Sequence, residues 1–305
     1  MEKNRSPKGK KIKKYLFIAV LLIYSIFSFS VSTKGKWPTV FSFCGLAEEP
    51  QTVYPFCVRI FSVGSADCIL LQNGSHAMLI DSATADQGVR LAQTIQRLGV
   101  ESLDYVVATH PHSDHIGGFP DLFNRISVKQ VLISPLCSLQ NYQSYRAMNA
   151  MFGTFKLVVH EAKVGETFSF GDRAKIEVLL AGVRSDNENE SSLVIRVVYG
   201  DVSMLFMGDG EVETEQSLLS SDCTLQSTFI KLGHHGSKTS TSPEFLRAVD
   251  PQFVAVSCGE VTPLAEETLL TLDQMGLRAY RTDLDGDLLF ATDGTSCEMK
   301  FSGMS

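Results

Sequence analysis

The sequence contains no Cys-x-x-Cys pair. Its seven cysteines stand apart at positions 44, 57, 68, 137, 223, 258 and 297, which excludes a zinc ribbon or a thioredoxin-like redox site. Cys68, Cys258 and Cys297 lie in or beside apolar runs and are expected to pack as small hydrophobes. Cys44 and Cys57 are placed to form a bridge near a linker if the chain is exported. The odd total leaves at least one thiol outside any intrachain bridge. Charge is scarce too: 20% of residues are Asp, Glu, Lys or Arg against 44% apolar, which excludes a disordered chain. Basic residues are scarcest over the main body. Residues 1–14 hold seven of the 27 cations (Lys3, Arg5, Lys8, Lys10, Lys11, Lys13 and Lys14), and past residue 33 the remaining 20 face 33 anions, a balance of −13. A body this acidic is no general nucleic-acid coat, because passive phosphate binding needs clustered Lys and Arg.

No charge at all occurs from Tyr15 to Thr33, a run of 19 residues directly after the basic cluster. That length is close to the roughly 20 residues a helix needs to cross a bilayer. The basic segment 1–14 is expected to stay in the cytoplasm, with everything past residue 34 outside. The run ends Ser30-Val31-Ser32-Thr33, a poor small-x-small cleavage site, which favours an uncleaved anchor over a removed signal peptide. The localisation read from this is single-pass in the cell membrane, or secreted if the segment is cleaved. Residues 34–52 lack periodicity and read as a linker, leaving 53–305 as the folded domain.

That domain opens a series of short Val-, Ile- and Leu-rich runs, strand-like at 58–63, 68–72, 77–81, 106–109, 131–134, 176–181, 193–199, 203–207, 228–232, 253–257 and 288–292. Gly200-Asp201 between two of them reads as a tight hairpin turn. Helical patterns cover 87–98, 142–151, 211–219, 243–249 and 266–275, with Ser242-Pro243 as a helix start. No internal repeat or low-complexity tract interrupts them. Strands interleaved with a few helices predict a layered α/β domain, sheets packed together and helices outside.

Five of the seven histidines fall in two short motifs. The first, Thr109-His110-Pro111-His112-Ser113-Asp114-His115-Ile116-Gly117-Gly118, directly follows a strand-like run. Three imidazoles and a carboxylate so close together match the ligands of zinc, manganese or iron. His110 and His112, two apart in extended chain, can grip one ion, and Asp114 and His115 a second. The other motif, Lys231-Leu232-Gly233-His234-His235-Gly236-Ser237-Lys238, also ends a strand. One of its histidines is expected to complete a metal sphere and the other to face substrate. Between them, Gly208-Asp209-Gly210 presents a carboxylate suited to bridge two cations.

This order of motifs resembles the metallo-β-lactamase superfamily, and within it the hydrolase domain of ComEC-type competence proteins and their stand-alone relatives. The likeness runs from about Val58 to Thr292. It includes Val63-Gly64-Ser65-Ala66-Asp67-Cys68, Leu79-Ile80-Asp81, Val164-Gly165-Glu166, Asn189-Glu190-Ser191-Ser192-Leu193-Val194 and Tyr280-Arg281-Thr282-Asp283. It implies an αββα sandwich with the metal site at one edge between the sheets. By the same resemblance His110 and His112 hold the first metal and Asp114 and His115 serve the second. Asp209 bridges them, and His234 or His235 completes the second sphere. Three departures stand out. Many relatives carry a further His where this chain has Asn189, so the first site is expected to be weak. His160, the other candidate by count, ends an apolar run and reads as structural. Relatives read Asp-Val-Gly-Gln-Gly-Asp where this chain has Ser62-Val63-Gly64-Ser65-Ala66-Asp67, and Gly-His-Pro where it has Val261-Thr262-Pro263.

The expected chemistry is hydrolysis with two divalent ions, zinc or manganese, activating a water. Asp114 and Asp209 would orient it, and the spare His of the 234–235 pair, Lys231, Ser237 or Lys238 would stabilise the anionic transition state. The ComEC-type likeness points to a phosphodiester or nucleic-acid substrate. Alternatives are another exported substrate, such as a choline phosphodiester or a β-lactam, and a metal-binding protein with a degenerate site.

Overall fold

Successive residues along a strand point to opposite faces, and this sorts the buried apolar side chains into three cores. The computed structural model describes residues 54–137 and 142–302. The basic segment, the apolar run 15–33, the linker and Cys44 lie outside the described residues. Among those described, no helix is long and apolar enough to cross a membrane.

The strands in chain order are β1 (Phe56–Ile60), β2 (Ile69–Asn73), β3 (His76–Ile80), β4 (Ser102–Ala108), β5 (Ser127–Ile133), β6 (Val158–Glu161), β7 (Thr167–Ser169) and β8 (Ala174–Ala181). They continue as β9 (Leu193–Tyr199), β10 (Val202–Phe206), β11 (Phe229–Lys231), β12 (Phe253–Val256), β13 (Ala279–Arg281), β14 (Leu288–Thr292) and β15 (Cys297–Phe301). One sheet has the order β15-β14-β1-β2-β3-β4-β5-β6 and the other β13-β12-β11-β10-β9-β8-β7. The helices are α1 (Gly88–Arg97), α2 (Ser113–Ile116), α3 (Phe119–Phe123), α4 (Gln143–Phe155), α5 (Val212–Leu219), α6 (Pro243–Val249), α7 (Glu266–Gln274) and α8 (Thr282–Asp285).

Phe56, Val58 and Ile60 of β1, Leu71 of β2 and Ile80 of β3 meet Ile195, Val197, Met204 and Phe206 of the other sheet in a core between the sheets. The intervening residues Leu70, Leu79 and Val106 point the other way and pack under α1, α3 and α4 with Leu91, Ile95, Phe119 and Met148. A third core joins Leu205, Ile230 and Val254 to Phe245, Leu246 and Leu272 of α6 and α7. The protein is therefore four layers deep, helices outside two apposed sheets, as the strand pattern predicts.

The hairpin at Gly200-Asp201 is present: Tyr199 pairs with Val202, and Gly200 takes φ +61°. Cys68 and Cys258 pack in the helix-covered cores, and Cys297 lies against the core between the sheets. Burial pushes the Cys68 and Cys137 thiols well above their ordinary range. Iodoacetamide applied to the folded protein at neutral pH is expected to leave both unmodified, as mass spectrometry would show; labelling of either would contradict this packing.

Candidate metal centre

The parallel strands decide where the chemistry sits. β3, β4 and β5 run parallel in one sheet, and β10, β11 and β12 in the other. Parallel strands deliver their C-terminal ends, and the loops that follow, to one edge. Asp81 follows β3, His110 to His115 follow β4, Asp209 follows β10, His235 follows β11 and Ser257 follows β12. The first motif leaves β4 in extended form, and His112, at φ −68° and ψ 150°, begins α2, which carries Asp114 and His115. Gly117 and Gly118 are required by crowding: a Cβ on either would overlap the carbonyl of Ser113 or Ser82. His234 and His235 both adopt left-handed backbone, at φ +43° and +55°, a conformation costly for side-chain-bearing residues and held here by the surrounding fold.

Asp114, His115, Asp209 and His235 each aim one ligand atom into a common space. His115 Nε2 is 3.2 Å from Asp209 Oδ1 and 3.9 Å from Asp114 Oδ2. His235 Nε2 is 3.5 Å from Asp209 Oδ2 and 3.6 Å from Asp114 Oδ2. Ligands about 2.1 Å from a tetrahedral ion stand roughly 3.4 Å from one another. These separations fit the edges of such a shell better than they fit hydrogen bonds. His110 Nε2 is 3.8 Å from Asp209 Oδ2, and the His110 ring lies 4.1 Å from that of His115 and 4.6 Å from that of His112, but neither His110 nor His112 joins the four-residue group.

Four buried atoms here have no hydrogen-bond partner: Nε2 of His110, His115 and His235, and Oδ1 of Asp209. An unsatisfied buried polar atom costs about 1–3 kcal/mol, and a cluster of four pointing together fits a cation that accepts their lone pairs. The charges agree. Burial and the neighbouring His115 keep the His110 imidazole well below its ordinary range, and so neutral. Burial pushes Asp114 up, yet its contact with His235 and the charge on His115 outweigh this and hold it at about 2. Burial is likewise outweighed at Asp209, where His115 and His235 keep the carboxyl well below its usual range.

The opposite ring nitrogens are tied down. His115 Nδ1 lies 2.7 Å from Asp81 Oδ2, and Asp81 also accepts from the Thr109 amide at 2.9 Å and the Thr109 hydroxyl at 2.7 Å. His235 Nδ1 donates to the Ser257 carbonyl at 3.0 Å, and the Asp209 amide donates to Ser192 Oγ at 3.0 Å. Each bond fixes a ring or carboxylate so that its free atom faces the centre. Asp81→Ala is expected to weaken metal affinity about 10- to 100-fold, the range found for such partners. Competition against a fluorescent chelator measures it, and wild-type affinity in the variant would count against Asp81 as the orienting group.

The structure thus separates the two adjacent histidines. His235 is buried in the cluster. His234 is half-buried and lies 2.7 Å from Glu211 Oε1 through Nδ1. Burial pulls its pKa down, but the Glu211 bond outweighs this and raises it. Asn189 stands behind Glu211, donating to the same oxygen at 2.7 Å. Ser237 Oγ is 3.0 Å from Thr239 Oγ1, and Lys238 is exposed beyond it. Lys231 does not face solvent: it is fully buried, with Nζ 2.9 Å from Asp67 Oδ2 and 3.0 Å from the Leu232 carbonyl. The expectation that it meets a substrate anion is corrected on that ground. His160 belongs to β6 and bonds Glu166 Oε2 at 2.7 Å, away from the cluster, as its structural reading anticipates. Sequence reasoning missed Glu211, which follows Asp209 by two residues in a Gly-Asp-Gly-Glu run and carries no periodic signal.

Two apposed sheets with convergent His and Asp side chains at their strand ends define a metal-binding α/β sandwich. Residues 62–259 match the Metallo-beta-lactamase superfamily, and the chain belongs to that superfamily, whose fold is that of hydrolases. Among curated proteins it is 27% identical over 239 residues to "Competence protein ComA" of Neisseria gonorrhoeae, covering 76% of this chain and 32% of the relative. It is 27% identical over 195 residues to "ComE operon protein 3" of Bacillus subtilis, covering 63% of this chain and 25% of the relative. The chain therefore spans between a quarter and a third of the length of these relatives. Of solved structures, the metallo-beta-lactamase fold protein YhfI from Bacillus subtilis aligns with TM-score 0.52 at 9% identity, over 76% of this chain and 99% of its own. CmlA, a diiron beta-hydroxylase from Streptomyces venezuelae, aligns with TM-score 0.51 at 17% identity, over 79% of this chain and 55% of its own. Both likenesses concern the fold.

Proposed function

We propose that the chain is a two-metal hydrolase that cleaves phosphodiester bonds, nucleic acid among them. The observation that carries this reading is the set of four buried, unpartnered donor atoms around Asp209. Asp114, His115, Asp209 and His235 would hold one ion, and His110, His112 and Asp209 the other, zinc or manganese. Bound there, two such ions supply a water of near-neutral pKa and a clamp for developing negative charge. Asp114 stays ionised down to about pH 2 and would accept a hydrogen bond from that water. His234, which contacts Glu211 and Asn189, would donate a hydrogen bond to a leaving-group oxygen. Ser237 and Lys238, in the loop beyond, would meet the substrate's flanking phosphate. The similarity to competence proteins favours a phosphodiester over other bonds this fold can serve. The acidic body argues that substrate is recruited through the ions rather than through a basic surface. Residues 15–33 would anchor the chain in the cell membrane with this domain outside, or direct its secretion if cleaved.

The test is a metal-dependent screen on DNA, RNA, bis-p-nitrophenyl phosphate, a choline phosphodiester and a β-lactam. Turnover of the phosphodiesters, lost on His112→Ala and His235→Ala, is the expected result. Stoichiometric metal without turnover on any substrate would favour a binding protein, and turnover of the β-lactam alone would reassign the substrate.

A further inference from the structure

A cavity of about 440 Å³ lies beside the metal centre, a volume within the roughly 300–1,000 Å³ of small-molecule sites. Its walls come from the segments that follow three neighbouring parallel strands. Glu211 and Glu215 follow β10, Lys238 and Pro243 follow β11, and Glu267 and Thr271 follow β12. The cavity therefore lies at the same sheet edge as the ligand cluster, outside the C-terminal ends of the strands, where ligands of α/β sheets bind. Glu211 joins the two: it lines the cavity, and its Oε1 is 2.7 Å from Nδ1 of His234, the neighbour of His235.

The walls are tied to one another. Glu215 is 2% exposed, and its carboxylate accepts from the Thr241 amide and, at 2.9 Å, from the Ser242 amide. The Thr268 hydroxyl of α7 donates to the Ser237 carbonyl at 3.1 Å, and the Val212 amide of α5 to the Thr239 carbonyl at 3.2 Å. The loop after β11 is thus held from both helices.

The lining discriminates by charge and by surface. Three carboxylates, Glu211, Glu215 and Glu267, face one cation, Lys238, so the cavity itself does not suit a phosphate group. Among the described residues its lining holds no aromatic ring, so it forms no cage for a quaternary ammonium. Val212, 44% exposed, and Pro243 offer apolar surface to a flat ring. The Glu267 carboxylate takes no hydrogen bond from a described residue and is free to accept one from a ligand.

We propose that this cavity receives the nucleobase of a nucleotide substrate whose phosphate sits at the metal centre, with Glu267 selecting bases that carry an amino group. This rests on the phosphodiester reading above. A carboxylate accepts from the amino group of cytosine, whereas thymine presents a carbonyl oxygen at the same edge. Lys238, the one cation of the lining, would meet the phosphate that carries the nucleoside.

The full-length chain loaded with manganese tests this by calorimetric titration with deoxycytidine monophosphate and thymidine monophosphate. Wild type is expected to bind the cytidine nucleotide about tenfold more tightly. Glu267→Gln is expected to bring the two within about twofold, because an amide side chain can meet either base edge. Thr271→Trp, which fills the cavity, is expected to weaken both by about tenfold or more. Its turnover of bis-p-nitrophenyl phosphate, which has no base, should stay at the wild-type level. Equal wild-type affinity for the two nucleotides, or unchanged nucleotide affinity in Thr271→Trp, would overturn the proposal. Base-selective binding without metal-dependent turnover of any phosphodiester would instead defeat the hydrolase reading and leave the cavity's assignment standing.

Discussion

Asp209→Asn is expected to bring phosphodiester turnover down about 10³-fold or more, with loss of at least one bound ion. The magnitude follows from position. Asp209 Oδ1 faces His115 and Oδ2 faces both His110 and His235, so one carboxylate serves both halves of the centre. Removing a single group that stabilises developing charge in an active site costs about 10²–10³ in kcat, and in the two-metal proposal this residue would also space the ions. The amide variant keeps the shape and the Asp209 amide bond to Ser192 but removes the charge that faces His115 and His235, so its thermal unfolding without metal is expected below that of wild type while the fold is retained. A variant with full metal content and only a few-fold loss of turnover would remove Asp209 from the bridging role.

Lys231→Met is expected to destabilise the domain by about 3–5 kcal/mol, the cost of leaving a buried charge without its partner. Lys231 and Asp67 are each about 1% exposed or less, and they join the two sheets directly below the metal cluster. The Asp67 amide donates to the Asp114 carbonyl and the Ala83 amide to the Asp67 carbonyl, so the pair also braces the loops that carry the ligands. Burial pushes the Asp67 carboxyl up, and Lys231 outweighs it to hold the pKa below its ordinary value. Lys231→Met combined with Asp67→Leu is expected to recover most of the loss in urea unfolding, since an apolar pair of similar volume replaces the ions. An equal or larger loss in the double variant would show that the Asp67 backbone position, rather than the ion pair, is what matters.

The central strands were legible because they are buried on both faces. β8, β9, β10, β12 and β14 coincide closely with the apolar runs, and α6 begins at the expected Ser242-Pro243 start. The four strands that the pattern does not reveal, β6, β7, β13 and β15, are the four edge strands of the two sheets. An edge strand buries less, so its sequence carries less apolar signal: Val158-Val159-His160-Glu161 in β6 is largely exposed. The metal-facing residues were legible for a different reason, since imidazoles and carboxylates in a six-residue string have no packing explanation. What the string could not reveal is which partner holds each ring. Asp81, Glu188 and Glu211 are single acidic residues among 34, and only the fold brings them to His115, His112 and His234. The choice between His234 and His235 was undecidable for the same reason. It is set by the left-handed backbone at both residues, which turns the two rings to opposite partners.

The most direct measurement is a titration of chelator-stripped protein with manganese while following bis-p-nitrophenyl phosphate hydrolysis. Turnover that is absent without metal, rises with added ion and saturates at two equivalents per chain is the predicted result. Turnover that persists in excess chelator, or that reaches its full value at one equivalent, would contradict a two-metal centre built around Asp209.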